Sequence, residues 1–171
     1  SGDEVELFLN GVSLGRKKRA PLTYRFRWDD VVYAPGELKA VAYKNGQPWA
    51  TAVRRTTGPA DQLQLAPDRA TLRADGQDLS FITLTVADRD GLMEPRAKLP
   101  VSFTIEGPGE LVATDNGDPT SHESFQSPTK RTFNGLALAI VRTRPGQPGT
   151  ITVRATADGL TSATCTLKAK E

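Results

Sequence analysis

Val5, Leu7 and Leu9 share one side of an extended segment and Glu4 and Glu6 the other. This alternation with period two recurs along most of the chain and predicts strands. Asn10-Gly11 follows, a hairpin dipeptide because both residues tolerate positive φ. The pattern then predicts a return strand over Val12–Arg16, a loop over Lys17–Pro21, a strand over Leu22–Trp28 and a turn at Pro35-Gly36. A strand over Glu37–Tyr43 and a second hairpin at Asn45-Gly46 lead into Trp49–Thr56. Within the strand over 22–28, Tyr24, Phe26 and Trp28 share one inward face. Five strands fall short of the about seven of an immunoglobulin-type sandwich. The first domain, 1–57, is therefore expected to be truncated, with its missing strands upstream of Ser1 in a longer polypeptide.

Thr57-Gly58-Pro59-Ala60 reads as a linker, after which the pattern restarts in a second domain, 58–171. Short strands are predicted over Gln62–Ala66 and Ala70–Arg73, and a long one over Leu79–Asp88 with Ile82, Leu84 and Val86 inward. Val101, Phe103 and Ile105 alternate with polar residues, and Gly107-Pro108-Gly109 breaks into Glu110–Thr114. A long loop spans roughly Asp115 to Lys130. Arg131–Thr143 reads as one strand with Leu136, Leu138 and Ile140 on one face. Ile151, Val153 and Ala155 follow, then a last strand over Thr161–Ala169. No stretch carries sustained helical spacing, and turns recur every ~8–12 residues, as in a sandwich. The fold class is all-β: two immunoglobulin-like β-sandwich domains in tandem.

Composition narrows the function classes. The chain is 37% hydrophobic and 25% charged, which is globular rather than disordered material. No run of ~18 apolar residues predicts a membrane-spanning helix, and no basic start followed by an apolar run predicts a signal peptide. A net charge of +2 points to no nucleic-acid partner. Residues 1–57 carry 10 Lys/Arg against 6 Asp/Glu, whereas residues 58–171 carry 12 against 14. Cys165 is the only cysteine, so no internal disulfide forms, and its place among alternating threonines predicts a buried structural thiol. One cysteine leaves the compartment open; a periplasmic or secreted bacterial setting is favoured over a cytoplasmic one.

Candidate chemistry is sparse. Glycosidic carboxylate pairs stand ~5–5.5 Å or ~6.5–9.5 Å apart on a rigid floor. Glu4 and Glu6 have a comparable spacing but read as a solvated strand face. His122 lies between Ser121 and Glu123, yet adjacent side chains on an extended segment point apart and build no relay. Asp115, Asn116, Asp118 and Glu123 offer oxygen ligands suited to calcium, but their spacing is not that of an EF-hand, and a turn-rich loop is the favoured reading, with calcium as the weaker candidate. One His and one Cys cannot close a zinc site. Arg16-Lys17-Lys18-Arg19 reads as a solvated edge loop or a patch for acidic polymers. Both tryptophans and all three tyrosines lie in the first 57 residues. Tyr24, Trp28, Tyr33 and Trp49 accordingly read first as core filling, with stacking on sugars as the alternative. No catalytic residue and no cofactor is expected.

Longer strings carry a resemblance. Glu4-Val5-Glu6-Leu7-Phe8-Leu9-Asn10-Gly11, Ser13-Leu14-Gly15 and Pro35-Gly36-Glu37-Leu38-Lys39-Ala40-Val41-Ala42-Tyr43 resemble the immunoglobulin-like domain that follows the catalytic barrel in bacterial glycoside hydrolase family 2 β-galactosidases. Ala74-Asp75-Gly76, Asn116-Gly117-Asp118-Pro119, His122-Glu123-Ser124-Phe125 and Phe133-Asn134-Gly135-Leu136-Ala137 resemble that family's last domain. The resemblance implies a parent that hydrolyses β-galactosides with two glutamates on a (β/α)₈ barrel, none of which maps onto this chain. It implies an accessory, non-catalytic region whose partner is the catalytic barrel of the same polypeptide. Long loops in compact domains are often functional, so Asn116, Asp118, His122, Glu123 and Phe125 of the long loop are candidates for an interdomain contact, with an ordered surface loop as an equal alternative. A carbohydrate-binding module is the alternative, and an adhesin-like surface domain rests on fold analogy alone.

Overall fold

The computed structural model describes residues 2–171 and contains strands but, among the described residues, no helix. Ser1, where the first domain is expected to be cut, lies outside the described residues. The chain divides into two compact units, Ser1–Thr56 and Thr57–Glu171.

The first unit is one antiparallel sheet. Its strands are β1 (Glu4–Leu9), β2 (Val12–Lys18), β3 (Glu37–Lys44) and β4 (Gln47–Arg55), in the order β2-β1-β3-β4. Asn10-Gly11 and Asn45-Gly46 make the hairpins, all four residues at positive φ as the tight turn requires. Asn10 also clamps the entry to β3: its Nδ2 donates to the Pro35 carbonyl at 2.9 Å, and its Oδ1 accepts the Glu37 amide at 2.7 Å. Register sorts the side chains, because residues paired across strands share a face. Val5, Leu7 and Leu9 lie opposite Ala42, Ala40 and Leu38, and those residues lie opposite Ala50, Ala52 and Arg54. Glu4, Glu6 and Phe8 line the other face with Tyr43, Val41 and Lys39.

Two expectations for this unit fail. Leu22–Trp28 is not a strand; residues 19–36 form an irregular segment between β2 and β3, leaving four strands rather than five. Alternation marks which side chains can share a face, but a strand also needs a neighbour to take its amides and carbonyls. The loop expected from Lys17 starts later, because β2 continues to Lys18 against Glu4. No described residue of this unit is buried.

The second unit is a closed sandwich. One sheet runs β5-β7-β11-β9, built from Gln62–Pro67 (β5), Leu79–Ala87 (β7), Leu136–Thr143 (β11) and Gly109–Asp115 (β9). The other runs β10-β8-β12-β13-β6, built from Thr129–Arg131 (β10), Pro100–Glu106 (β8), Gly149–Thr156 (β12), Ala163–Lys170 (β13) and Thr71–Arg73 (β6). The β6–β13 pairing is parallel and the others are antiparallel. Ile82, Leu84 and Val86 from one sheet and Val101, Phe103, Ile151, Val153 and Leu167 from the other belong to a single buried cluster.

The expected strand over Arg131–Thr143 is two strands. Asn134 and Gly135 adopt positive φ and break it; a Cβ on Gly135 would run into the Glu94 carbonyl oxygen. In β11 the core receives Ala137, Ala139 and Val141, while Leu136, Leu138 and Ile140 lie on the half-buried outer side. Register explains this choice. Ala137 and Ala139 sit opposite Leu84 and Ile82, so small residues share the interior with large ones.

Candidate functional site

The carboxylates of the first unit are engaged in its sheet. Glu4 pairs with Arg16 and with Lys18 at 3.6 Å. Glu6 accepts from the Ser13 hydroxyl at 2.6 Å and from the Tyr43 hydroxyl at 3.1 Å. The Ser13 bond first, then Tyr43 and the nearby Arg16, hold the Glu6 carboxyl below its usual range against some desolvation. The same bond to Glu6 is the main reason the Tyr43 phenol is pushed up. A carboxyl held ionised cannot serve as a glycosidic proton donor, which needs the opposite shift.

The basic run belongs to β2 and its end rather than to a free loop. Arg16 stacks over the Tyr43 ring at 3.5 Å. The Lys17 ammonium donates to the Arg27 carbonyl at 2.6 Å and lies 5.2 Å from the centre of the Trp28 ring. These contacts tie the irregular segment to the sheet.

The aromatic candidates divide. Tyr24, Tyr33 and Trp49 are 90%, 75% and 55% exposed, whereas Trp28 is half-buried. The inward face expected for Tyr24, Phe26 and Trp28 holds for the last two only in part, since both are half-buried, and not for Tyr24. Trp49 sits in a bulge of the exposed edge strand β4: β3 and β4 pair Ala42 with Ala50 and Tyr43 with Pro48, leaving Trp49 as the extra residue. Tyr33 is held near Thr56, hydroxyl to hydroxyl at 3.3 Å.

In the second unit the calcium candidates are not brought into one cluster. Among the described residues no group of three His, Cys, Asp or Glu side chains gathers to hold a metal. Their oxygens accept N–H and O–H groups of the loop instead. Asp115 Oδ1 takes the Asn116 and Gly117 amides, and Asn116 Oδ1 takes the Asp118 amide. Asp118 Oδ1 takes the Thr120 hydroxyl at 2.7 Å and the Thr120 amide at 2.9 Å, and Glu123 takes the Arg131 amide at 3.0 Å. The Thr120 hydroxyl, the Thr120 amide and the Lys98 ammonium at 3.5 Å hold the Asp118 carboxyl below the usual range. Asn116 further donates to the Arg131 carbonyl at 2.8 Å. The loop is thus an ordered, internally hydrogen-bonded element, with His122 exposed on it and Phe125 61% exposed.

Residues that the sequence did not single out do the anchoring. Lys130 is buried, and its ammonium donates to the Glu123 and Ser124 carbonyls at 3.2 and 3.1 Å while facing the Phe125 ring. A buried lysine is rare unless paired, but nothing in the sequence marks it. Asp88 is also buried; it accepts the Gly58, Asp90 and Leu92 amides, which hold its carboxyl below the usual range. Asp-x-x-Gly spacing ahead of a turn was the available signal for it. Cys165 is half-buried against the core rather than fully buried, and desolvation pushes its thiol up. A raised thiol pKa means little thiolate and low reactivity.

The comparisons with known proteins cover both units. A family model described as glycoside hydrolase family 2 C-terminal domain 5 matches residues 63–166, and one for a domain of unknown function, DUF4982, matches residues 1–50. Beta-galactosidase BoGH2A of Bacteroides ovatus is 37% identical over 99% of this chain, which covers 20% of that protein. A beta-glucuronidase of Formosa agariphila is 29% identical over 96% of the chain, which covers 17% of that protein. A solved glycosyl hydrolase family 2 member from Bacteroides cellulosilyticus superposes with a TM-score of 0.88 and 36% identity, over 99% of this chain and 22% of that one. The chain therefore spans about a fifth of the length of the curated relatives it matches. With more than half of its residues inside the matched family, the chain belongs to the C-terminal domain 5 family of glycoside hydrolase family 2.

Proposed function

We propose that this chain is the non-catalytic accessory C-terminal region of a β-galactosidase-like glycoside hydrolase, acting beside the catalytic barrel of the same polypeptide. The observation that carries this reading is the chain-long match to about a fifth of a β-galactosidase. The engaged carboxylates of β1 support it, since Glu4 and Glu6 already have cationic or hydroxyl partners. On this reading the substrate is a β-linked galactoside, with a β-glucuronide as the competing choice because one relative is named a beta-glucuronidase. The 115–130 loop faces the barrel through Asn116, Asp118, His122, Glu123 and Phe125; the exposed Phe125 ring on a loop pinned by Lys130 supports that role. The test compares this chain with the full-length parent on chromogenic β-galactosides and β-glucuronides. The parent turns over one of them and the chain neither; turnover by the chain alone would overturn the accessory role.

A second reading, carbohydrate binding by the first unit, draws on the exposure of Tyr24, Tyr33 and Trp49, with Trp28 half-buried. Exposed rings present apolar faces on which the C–H face of a sugar stacks. Calorimetry of the chain with galactosides and plant polysaccharides decides it: binding heat that Trp49→Ala abolishes supports the reading, and absence of heat sinks it.

A further inference from the structure

The chain passes from the first unit to the second through Thr56-Thr57-Gly58-Pro59-Ala60. Small and turn-forming residues give this stretch the composition of a flexible linker. Both of its ends are nevertheless fastened, each to its own unit. On the first side, the Thr56 amide donates to the Gly36 carbonyl at 2.9 Å, and the Thr56 hydroxyl accepts the Gly36 amide at 3.1 Å. On the second side, the Gly58 amide donates to Asp88 Oδ2 at 2.8 Å. Pro59 follows, its ring fixing φ, and Ala60 packs against the core of the second unit. The Asp61 amide donates to the Ala87 carbonyl and the Asp61 carbonyl accepts the Thr161 amide, both at 2.9 Å. Between the two anchored ends, the Thr57 amide has no acceptor among the described residues.

Asp88 is the group that fastens the second end. It lies just past β7 and is 3% exposed. Its two carboxylate oxygens have separate tasks. Oδ1 accepts the Asp90 amide at 3.0 Å and the Leu92 amide at 2.9 Å, which shapes the turn after β7. Oδ2 accepts the Gly58 amide. The turn needs Oδ1 alone. Oδ2 reaches instead to a residue far upstream, and Gln62 Nε2 closes the same corner by donating to the Asp88 carbonyl at 2.8 Å. A buried carboxylate is costly unless hydrogen-bonded, so the linker amide and the carboxylate hold each other in place.

We infer that Asp88 is a latch that shortens the joint between the two units to the single residue Thr57. Residues 58–61 then move with the second unit, and rotation about the bonds of Thr57 is the freedom that remains. A joint with one free residue loses less conformational entropy than a slack linker when both units settle on a common surface. The latch is a property of these 171 residues and does not depend on the accessory role.

Hydrogen exchange followed by NMR on this chain tests the latch residue by residue. In the native chain the Gly58 amide should exchange about ten-fold or more slowly than the Thr57 amide, after correction for intrinsic rates. Asp88→Asn keeps one acceptor oxygen and puts an NH₂ group in place of the other. The oxygen stays with the Asp90 and Leu92 amides, because two bonds outweigh one, and the NH₂ group then meets the Gly58 N–H. Exchange at Gly58 should therefore speed up about ten-fold or more, while Asp90 and Leu92 change by less than about three-fold. Trypsin gives a second readout, since nicking after Arg55 requires residues 56–58 to open; it should accelerate in Asp88→Asn. Unchanged exchange and unchanged nicking in the variant overturn the proposal. So does acceleration shared equally by the core amides of Ile82, Leu84 and Val86, which would mark global destabilisation. If Asp88→Asn does not fold, the native chain decides: a Gly58 amide as fast as that of Thr57 overturns the latch, and a protected one supports it.

Discussion

Val5, Leu7 and Leu9 in β1 and Ile82, Leu84 and Val86 in β7 have the same spacing and side chains of similar size. The first three are half-buried, and the second three have no exposed surface. The difference lies in what stands opposite. β7 faces a second sheet that brings Val101, Ile151, Val153 and Leu167 into one cluster; β1 belongs to a unit with a single sheet. Hydrophobic stabilisation follows the apolar area removed from water, about 25 cal/mol per Å², so identical sequence patterns yield unequal stability. Tight turns do not separate the two units, since both use Asn-Gly pairs at positive φ.

Truncation in each unit should expose this contrast most strongly. Leu84→Ala empties a fully enclosed site and is expected to cost about 3 kcal/mol, whereas Leu7→Ala, already half-solvated, should cost about 1 kcal/mol or less. Urea unfolding with probes in each unit reads both; equal costs would mean that the first sheet is closed in solution. Next in size is Lys130→Met, which keeps the apolar stem but leaves the Glu123 and Ser124 carbonyls without their donor. About 2 kcal/mol should be lost, and amides of the 115–130 loop should exchange faster. If the loop stays protected, its own turns rather than Lys130 hold it.

Acid provides a subtler probe of the second unit. Amides of Gly58, then Leu92 and Asp90, keep the Asp88 carboxyl below its normal value. A folded pKa lower than the unfolded one, about 3.9, stabilises the native state above that value, and the gain disappears as pH falls through the lower folded pKa. The melting temperature should therefore fall more steeply with pH below about 4 for the native chain than for Asp88→Asn. Parallel curves for the two would show that Asp88 does not control the acid limb. The smallest effect is expected at Trp49, outside the ladder in its bulge: Trp49→Ala should move stability by no more than about 0.5 kcal/mol. A larger loss would place the indole in a packed contact and weaken its role as a sugar-stacking ring.

Much of the strand pattern was legible because it depends on neighbours in sequence. Ile82, Leu84 and Val86, and Ile151, Val153 and Ala155, point inward as their alternation predicts. The misreadings have local physical causes. The strand expected over Arg131–Thr143 runs through Asn134-Gly135, the same dipeptide that makes the turns at 10–11 and 45–46. Leu136, Leu138 and Ile140 look like the better core residues by size, but the pairing of β11 with β7 hands the interior to Ala137, Ala139 and Val141. The candidate metal ligands at 115, 116, 118 and 123 were visible as residue types, while their engagement with loop amides was not. Lys130 gave no warning because a lysine's burial is set by distant carbonyls.

Alternation and turn chemistry in the sequence determined the all-β class, the hairpins and most inward-facing positions, because these depend on steric preferences within a few residues. Tertiary structure decided which pattern becomes a strand, which face becomes core and which charges are buried. Those outcomes depend on partners far along the chain, as the unladdered Thr23–Trp28 segment and the buried ammonium of Lys130 show.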